Sequence, residues 1–216
     1  MQTEKKIWFR NLCVKNGLMP TDLQLDQLDQ YVNQLLDWNK KINLLSRKDE
    51  ENIWTFHLLH CASLLFKIKL KEGSKIVDIG TGGGLPGVPM KILRPDISVL
   101  CIDATRKKAN AVSEMVGDLK LDGIKILWGR AEEIGIQDGY MENFDFAVAR
   151  AVAPLNELIF WSKNFLRKET TSDSVVNIVN DGRIVLNSPA LEQVEQRTLR
   201  QIEKTASSLF GYFMNI

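Results

Sequence analysis

Residues 1–70 are patterned for helices. After Pro20, the apolar positions Leu25, Leu28, Val32, Leu35 and Leu36 recur at the three- and four-residue spacing of one helix face. Thr21, followed three residues later by Gln24, predicts a capping box at the start of that helix. Ile53, Phe56, Leu59, Leu64 and Leu65 predict a second helix from about Asp49 to Ile68, and "LKEGSK" ends it. From Lys75 the texture changes to short apolar runs alternating with helical segments. "KIVDIG", "ISVLCID", "IKILWG" and "FDFAVARA" read as strands. "PGVPMKIL", "ATRKKANAVSEMVGDLKL" and "PLNELIFWSKNFL" read as the helices between and after them. This alternation predicts an α/β fold, a mostly parallel sheet flanked by helices. The chain therefore divides into a helical extension, 1–70, and an α/β domain, 71–216. Beyond Leu166 the pattern weakens. "RKETTSDS" reads as a loop, and "VVNIVNDGRIVLN" as one strand or as two joined at Asp181-Gly182. Ser188-Pro189 predicts the start of a last helix through "ALEQVEQRTLRQIEKTASSLF".

Composition narrows the class. Apolar residues make up 44% and charged residues 25% of the 216, values of an ordinary soluble domain. No apolar run is long enough to span a bilayer, and "MQTEKKIWFRN" lacks the apolar core of a secretory signal, so a cytoplasmic protein is expected. Cys13, Cys61 and Cys101 are far apart and odd in number, which argues against a disulfide framework or a zinc site. His57 and His60 could share a helix face and hold a metal, but no third ligand accompanies them. The plainer reading is one packed and one exposed histidine, with no metal. A net charge of +1 gives no global pull toward nucleic acid, so a polyanion would have to be held by local clusters.

The chemistry concentrates in "IVDIGTGGGLPGVP", residues 76–89. A glycine turn between strand and helix lets backbone approach a ligand. Gly82, Gly84 and Gly87 literally match the dinucleotide pattern G-x-G-x-x-G, but the register is wrong. The first glycine after the strand is Gly80, and counting from it gives Gly80, Gly82, Gly84 with Asp78 two residues ahead. No Gly-Lys-Ser/Thr ending is present, which excludes Walker-A phosphate binding. Acid-x-G-x-G-x-G resembles the first motif of the class I S-adenosylmethionine-dependent methyltransferases. S-adenosylmethionine carries no pyrophosphate, so its site needs close backbone and carboxylate acceptors more than a cationic cradle. Asp78 could reach the ligand's ammonium group or cap nearby amides. Asp103, at the end of the second strand, suits a ribose diol. Ala131 and Glu132 follow the third strand and Arg150 ends the fourth, facing the same crevice.

Read together, "DIGTGGGLPGVPMKILRPD", "GRAEE" and "FDFAVARAVAPL" resemble the bacterial methyltransferases of the glucose-inhibited division protein B family, over about residues 30–165. That family is similar in placing a helical part, here with "WNKKINLLSRKD", ahead of a Rossmann-like class I methyltransferase fold. The resemblance implies transfer of a methyl group from S-adenosylmethionine to N7 of a guanosine in 16S ribosomal RNA. It implies cofactor contacts at Gly80, Leu85, Ala131, Glu132 and Arg150, with Asp103 holding the ribose; Asp78 and Gly82, read from the glycine loop itself, complete the expected cofactor set. Arg130 and Arg150 match basic positions that handle substrate, with Arg106 and Lys107 as further RNA candidates. The implied partner is ribosomal RNA or the small subunit, and the protein is expected to be a monomer. Guanine N7 has a free lone pair, so no general base is required. The alternatives are a methyltransferase of another substrate class and a non-catalytic cofactor-binding module; a nicotinamide oxidoreductase is disfavoured by the acid-led register.

This chain departs from the family pattern at three places. Phe56 stands where a basic residue usually precedes the histidine, and His60-Cys61 stand where Asp-Ser is common. Asn187, Ser188 and Pro189 replace a Leu-Lys-Gly-Gly turn. "EKTASSLFGYFMNI" is unlike the family's last strands. Two further basic clusters, Lys40-Lys41 and Arg47-Lys48, flank the end of the N-terminal helix and read either as a solvated face or as phosphate contacts. Trp8, Trp38, Trp54, Trp128 and Trp161 are each expected as core or edge residues, core before edge, rather than as base-stacking platforms.

Overall fold

A computed structural model describes residues 2–68, 70–150, 152–167, 175–178 and 184–187. The loop expected at 168–174, the turn at Asp181-Gly182, and Ser188, Pro189 and the helix after them lie outside the described residues.

Helix α1 (Gln2–Lys15) buries Phe9 and Cys13, one turn apart, and Phe9 meets Trp54 edge to face at 5.5 Å. Helix α2 (Asp22–Asn39) begins with the expected capping box. Gln24 N donates to Thr21 Oγ1 at 3.2 Å, and Thr21 N donates to Gln24 Oε1 at 2.9 Å. Its buried stripe is Leu25, Leu28, Tyr31, Val32 and Leu35. The same Gln24 also donates from Nε2 to the carbonyls of Ile92 and Leu93, which fastens the start of α2 to the α/β domain.

The second helix expected over Asp49–Ile68 forms in three pieces. A 3₁₀ segment (Arg47–Asn52) leads into a π turn (Ile53–Leu58), and only then into α3 (Leu59–Lys67). The reason is visible in what is buried: Ile53, Trp54, His57, Leu58, Cys61 and Ala62. That stripe repeats every four residues and would drift around a 3.6-residue helix. A wider turn, closed by Leu59 N on Trp54 O, keeps it facing inward.

The sheet contains β1 (Lys75–Ile79), β2 (Ser98–Asp103), β3 (Ile124–Trp128), β4 (Phe146–Ala149), β5 (Val175–Ile178) and β6 (Ile184–Asn187), in the spatial order β3-β2-β1-β4-β5-β6. All neighbours are parallel except β5 and β6, an antiparallel pair with Val175 opposite Asn187. Of the two readings of residues 175–187, the pair of strands is the one that forms. Helices α4 (Gly87–Leu93), α5 (Arg106–Asp118), the short α6 (Ala131–Ile134) and α7 (Leu155–Ser162) connect and flank the strands.

Alternation along the strands sends side chains to two cores. Ile76, Val99, Cys101 and Val148 pack with Leu64, Ile68 and Met90 on one face. Val77, Ile79, Leu100, Ile102, Ala147 and Ala149 pack with Ile134, Leu158 and Phe165 on the other. A third cluster joins the N-terminal helices to the α/β part: Leu28, Tyr31, Leu35 and Trp54 pack with Leu85, Val88 and Ile92 near α4 and with Val112 and Met115 of α5. The core thus runs across the sequence division at residue 70. The order of neighbours reverses at β1, between β2 and β4, which opens a crevice at the carboxyl ends of those strands.

Trp54 is core, and Trp38 and Trp161 are half-buried. Trp8 and Trp128 are 40% and 58% exposed, so neither is core. Trp128 ends β3, a strand at the edge of the sheet. Arg106 lies over its ring at 5.1 Å, and its Nε1 donates to Ala104 O. No helix among the described residues is long and apolar enough to cross a membrane.

The capping box gives a direct check. Thr21→Ala removes one of its two reciprocal bonds and should lower stability by about 1 kcal/mol in urea unfolding; an unchanged midpoint would contradict the role given to it.

Candidate functional site

The site is built around two carboxylates at adjacent strand ends. Asp78 of β1 is fully buried. Its Oδ2 accepts from Thr81 Oγ1 at 2.6 Å and from Gly87 N, the first residue of α4, at 2.8 Å. One oxygen therefore closes the whole glycine loop, from its first hydroxyl to the helix after it. Gly87 has to be glycine for this to happen: a Cβ there would lie 2.6 Å from Cys101 Sγ and 2.8 Å from Asp78 Oδ2. Asp103 of β2 is 7% exposed. Its Oδ2 accepts from Gly82 N at 2.9 Å and its Oδ1 from Thr105 N at 2.7 Å. The loop is thus tied to both strands, and Thr81 N adds a bond to Ile102 O at 2.9 Å.

Gly80 has φ +69°, a left-handed backbone, and a Cβ there would sit 2.5 Å from the γ-carbons of Val152 beyond β4. Gly82 is different: nothing lies closer than 3.9 Å to where its Cβ would be. The backbone is tight at Gly80 and open at Gly82, beside Asp103.

The N-terminal helices complete the site. Tyr31 of α2 donates its hydroxyl to Gly83 O at 2.8 Å, from a fully buried position. Arg150, directly after β4, has Nη1 2.6 Å from His57 Nδ1 in the π turn. A guanidinium only donates, so Nδ1 is the acceptor and the imidazole proton sits on Nε2. Nε2 lies 3.4 Å from Asp49 Oδ2. Burial, reinforced by the Arg150 charge, pushes the His57 pKa down to about 4, so the ring is neutral at pH 7. Burial pushes Asp78 the other way, up to about 6, against the bonds from Thr81 and Gly87 that hold it ionised.

The other expected residues stand as follows. Leu85 is 2% exposed, between the glycines and α4. Ala131 and Glu132 open α6, Ala131 buried and Glu132 half-buried, with exposed Arg130 just before them. Arg130 Nη1 is 3.8 Å from Glu132 Oε1. Arg106 and Lys107 are exposed at the start of α5, three and four residues beyond Asp103, and Arg106 is drawn onto Trp128. His57 is the packed histidine, whereas His60 is half-buried rather than exposed. Among the described residues, no group of three His, Cys, Asp or Glu side chains could hold a metal ion. Sequence reasoning missed Thr81, Tyr31, Asp49 and the partnership of His57 with Arg150. Thr81 was the accessible one, since a hydroxyl three residues after a buried strand-end acid is placed to satisfy it.

This strand order, with a glycine loop and paired acids at the reversal of neighbours, defines a class I methyltransferase fold. A solved SAM dependent methyltransferase from Aquifex aeolicus shares the fold at TM-score 0.50 and 17% identity, over 74% of this chain and 84% of that one. Two curated proteins named ribosomal RNA small subunit methyltransferase G are similar in sequence. The one from Moorella thermoacetica is 40% identical over 144 residues, 67% of this chain and 60% of the relative. The one from Caldanaerobacter subterraneus subsp. tengcongensis is 40% identical over 151 residues, 70% of this chain and 63% of the relative. The chain thus spans 60–63% of the length of those two relatives. The model of the GidB family, rRNA small subunit methyltransferase G, matches residues 24–172. The chain belongs to this family.

The two perturbed groups oppose each other in acid. His57 titrates at 6.5 unfolded and about 4 folded, so its contribution to stability is full above pH 6.5 and is lost as pH falls through about 4. Asp78 titrates at 3.8 unfolded and about 6 folded, so its contribution is full below pH 3.8 and is lost as pH rises through about 6. Asp78→Asn removes the second trend. Urea unfolding from pH 4 to 6 should then show stability rising with pH more steeply than in the wild type; equal slopes would contradict the assignment.

Proposed function

We propose that the protein is an S-adenosylmethionine-dependent methyltransferase that modifies N7 of a guanosine in 16S ribosomal RNA, working in the cytoplasm as a single copy. The observation that carries this reading is the family match over residues 24–172, which takes in the whole site from Tyr31 to Arg150.

The residues present suit the cofactor. Asp103 keeps a free lone pair on each oxygen after accepting from Gly82 and Thr105, enough for a ribose diol. The unfilled space at Gly82 lies beside it. Asp78 Oδ1 is buried without a partner, the one atom of that carboxylate left for a ligand amine, directly or through water. Its main part in this reading is to hold the loop. Gly80, Gly82 and Leu85 would line the donor, and Ala131 and Glu132 would meet the adenine. Bound there, S-adenosylmethionine supplies an electrophilic methyl group on a sulfonium.

The protein's own part is placement. Guanine N7 has a lone pair and no proton to lose, so no side chain has to act as a base. Rate comes from holding N7 in line with the methyl group near attack distance. Arg150 and Arg130, permanently charged, would donate to guanine O6 or to phosphates and cannot accept the proton of a base. Arg106 and Lys107 sit on the rim as weaker RNA candidates.

Two measurements test this. Labelled methyl transfer to naked RNA, to small subunits and to total protein, followed by nucleoside mass spectrometry, should give 7-methylguanosine from RNA or subunits. Label in protein alone points to another substrate class; cofactor binding with no transfer points to a non-catalytic module. Asp103→Ala should weaken S-adenosylmethionine in calorimetry by roughly 10- to 100-fold, the worth of charge-assisted bonds to one carboxylate; unchanged affinity removes Asp103 from the site.

A further inference from the structure

Between the end of α2 and the 3₁₀ segment lies a groove of about 540 Å³ that the cofactor site does not use. Its lining includes Lys40, Lys41, Asn43, Ser46 and Arg47, and no carboxylate. We propose that this groove seats the phosphodiester backbone of single-stranded RNA next to the target base. The proposal rests on the ribosomal RNA reading and adds to it where the strand lies.

The groove is braced from within. Asn39, 5% exposed, accepts at Oδ1 from Leu44 N at 2.8 Å and Leu45 N at 3.0 Å. Its Nδ2 donates to Glu50 Oε1 at 2.6 Å, which ties the end of α2 to the 3₁₀ segment. The loop carrying the cations is therefore held in shape before any ligand arrives. It also abuts the cofactor loop: a Cβ on Gly83 would lie 3.4 Å from Leu44 Cβ, and one on Gly82 would lie 3.9 Å from Leu44 O. The loop whose neighbouring residues line the groove therefore sits, through Leu44, directly against the glycine loop, which puts a strand in the groove close to the cofactor site.

The charges are available. Lys41 lies over the Trp38 ring at 4.6 Å and pairs with no carboxylate among the described residues; neither does Arg47. Lys40 pairs with Asp37, but both are exposed, and such a pair is easily exchanged for a phosphate. Arg47 can take two phosphate oxygens at once, and Ser46 and Asn43 add neutral donors. Lys41 covers one face of the Trp38 ring. Contacts of this kind position a strand without reading its sequence.

The test is the full chain with Lys40→Gln, Lys41→Gln and Arg47→Gln together, and poly(U) as the probe. The three side chains are exposed, and S-adenosylmethionine affinity should stay at the wild-type value. Poly(U) affinity should fall about tenfold or more, and the slope of log K against log salt should become shallower by roughly 2, at about 0.7 per lost contact. Wild-type affinity and slope in the variant overturn the proposal, and so does a wild-type protein that does not bind poly(U). Equal binding and equal loss with polyglutamate would make the groove a general polyanion surface and also overturn it. A wild-type protein that binds poly(U) through these residues yet methylates no RNA would sink the ribosomal RNA reading and leave the groove standing.

Discussion

The architecture of the site depends on one buried carboxylate oxygen, Asp78 Oδ2. It accepts from Thr81 Oγ1 and from Gly87 N, so it fixes both ends of the glycine loop against β1. A buried charge is costly unless it is well bonded, and burial does raise this group's pKa, to about 6. The chain accepts that cost where the fold needs a tight strand-to-helix turn. Gly87 then follows of necessity, since any side chain there would collide with Cys101 and with Asp78 itself. Asp103 repeats the device on β2 with Gly82, and it leaves lone pairs toward the crevice. Loop shape is thereby set by protein bonds, and ligand binding need not supply the ordering.

The N-terminal helices are part of this site rather than an appendage. Tyr31 bonds Gly83 from behind, Leu44 packs on the loop, and the π turn brings His57 to Arg150. A neutral imidazole between a guanidinium and Asp49 fixes the direction of Arg150, because an acceptor at Nδ1 leaves only one ring orientation. The four-residue burial stripe that forces the π turn is the same feature that turns His57 inward. Packing and site geometry have a common cause here.

Much of this was legible in the sequence. Parallel central strands have to be apolar on both faces, so "KIVDIG" and "ISVLCID" stood out from the helices between them. The glycine register, counted from Gly80 with Asp78 ahead of it, pointed to a methyl donor and not to a dinucleotide. What could not be read were contacts between distant elements. Nothing near His57 in the chain announces Arg150, 93 positions away. A four-residue stripe looks helical over one turn, so the π turn passed for part of an α-helix. Trp128 is exposed because its strand lies at the edge of the sheet, and strand order is not written in a strand's own composition.

Asp103 and Asp78 hold the glycine loop in shape through protein bonds alone, before any methyl donor binds. Amide hydrogen exchange of the free protein reads this at single residues. Slow exchange is expected at Gly82 and Gly87 without cofactor, with loss of protection at Gly82 but not at Gly87 in Asp103→Ala. Exchange at Gly82 and Gly87 as fast as in an unstructured peptide, slowing only on addition of S-adenosylmethionine, would contradict it.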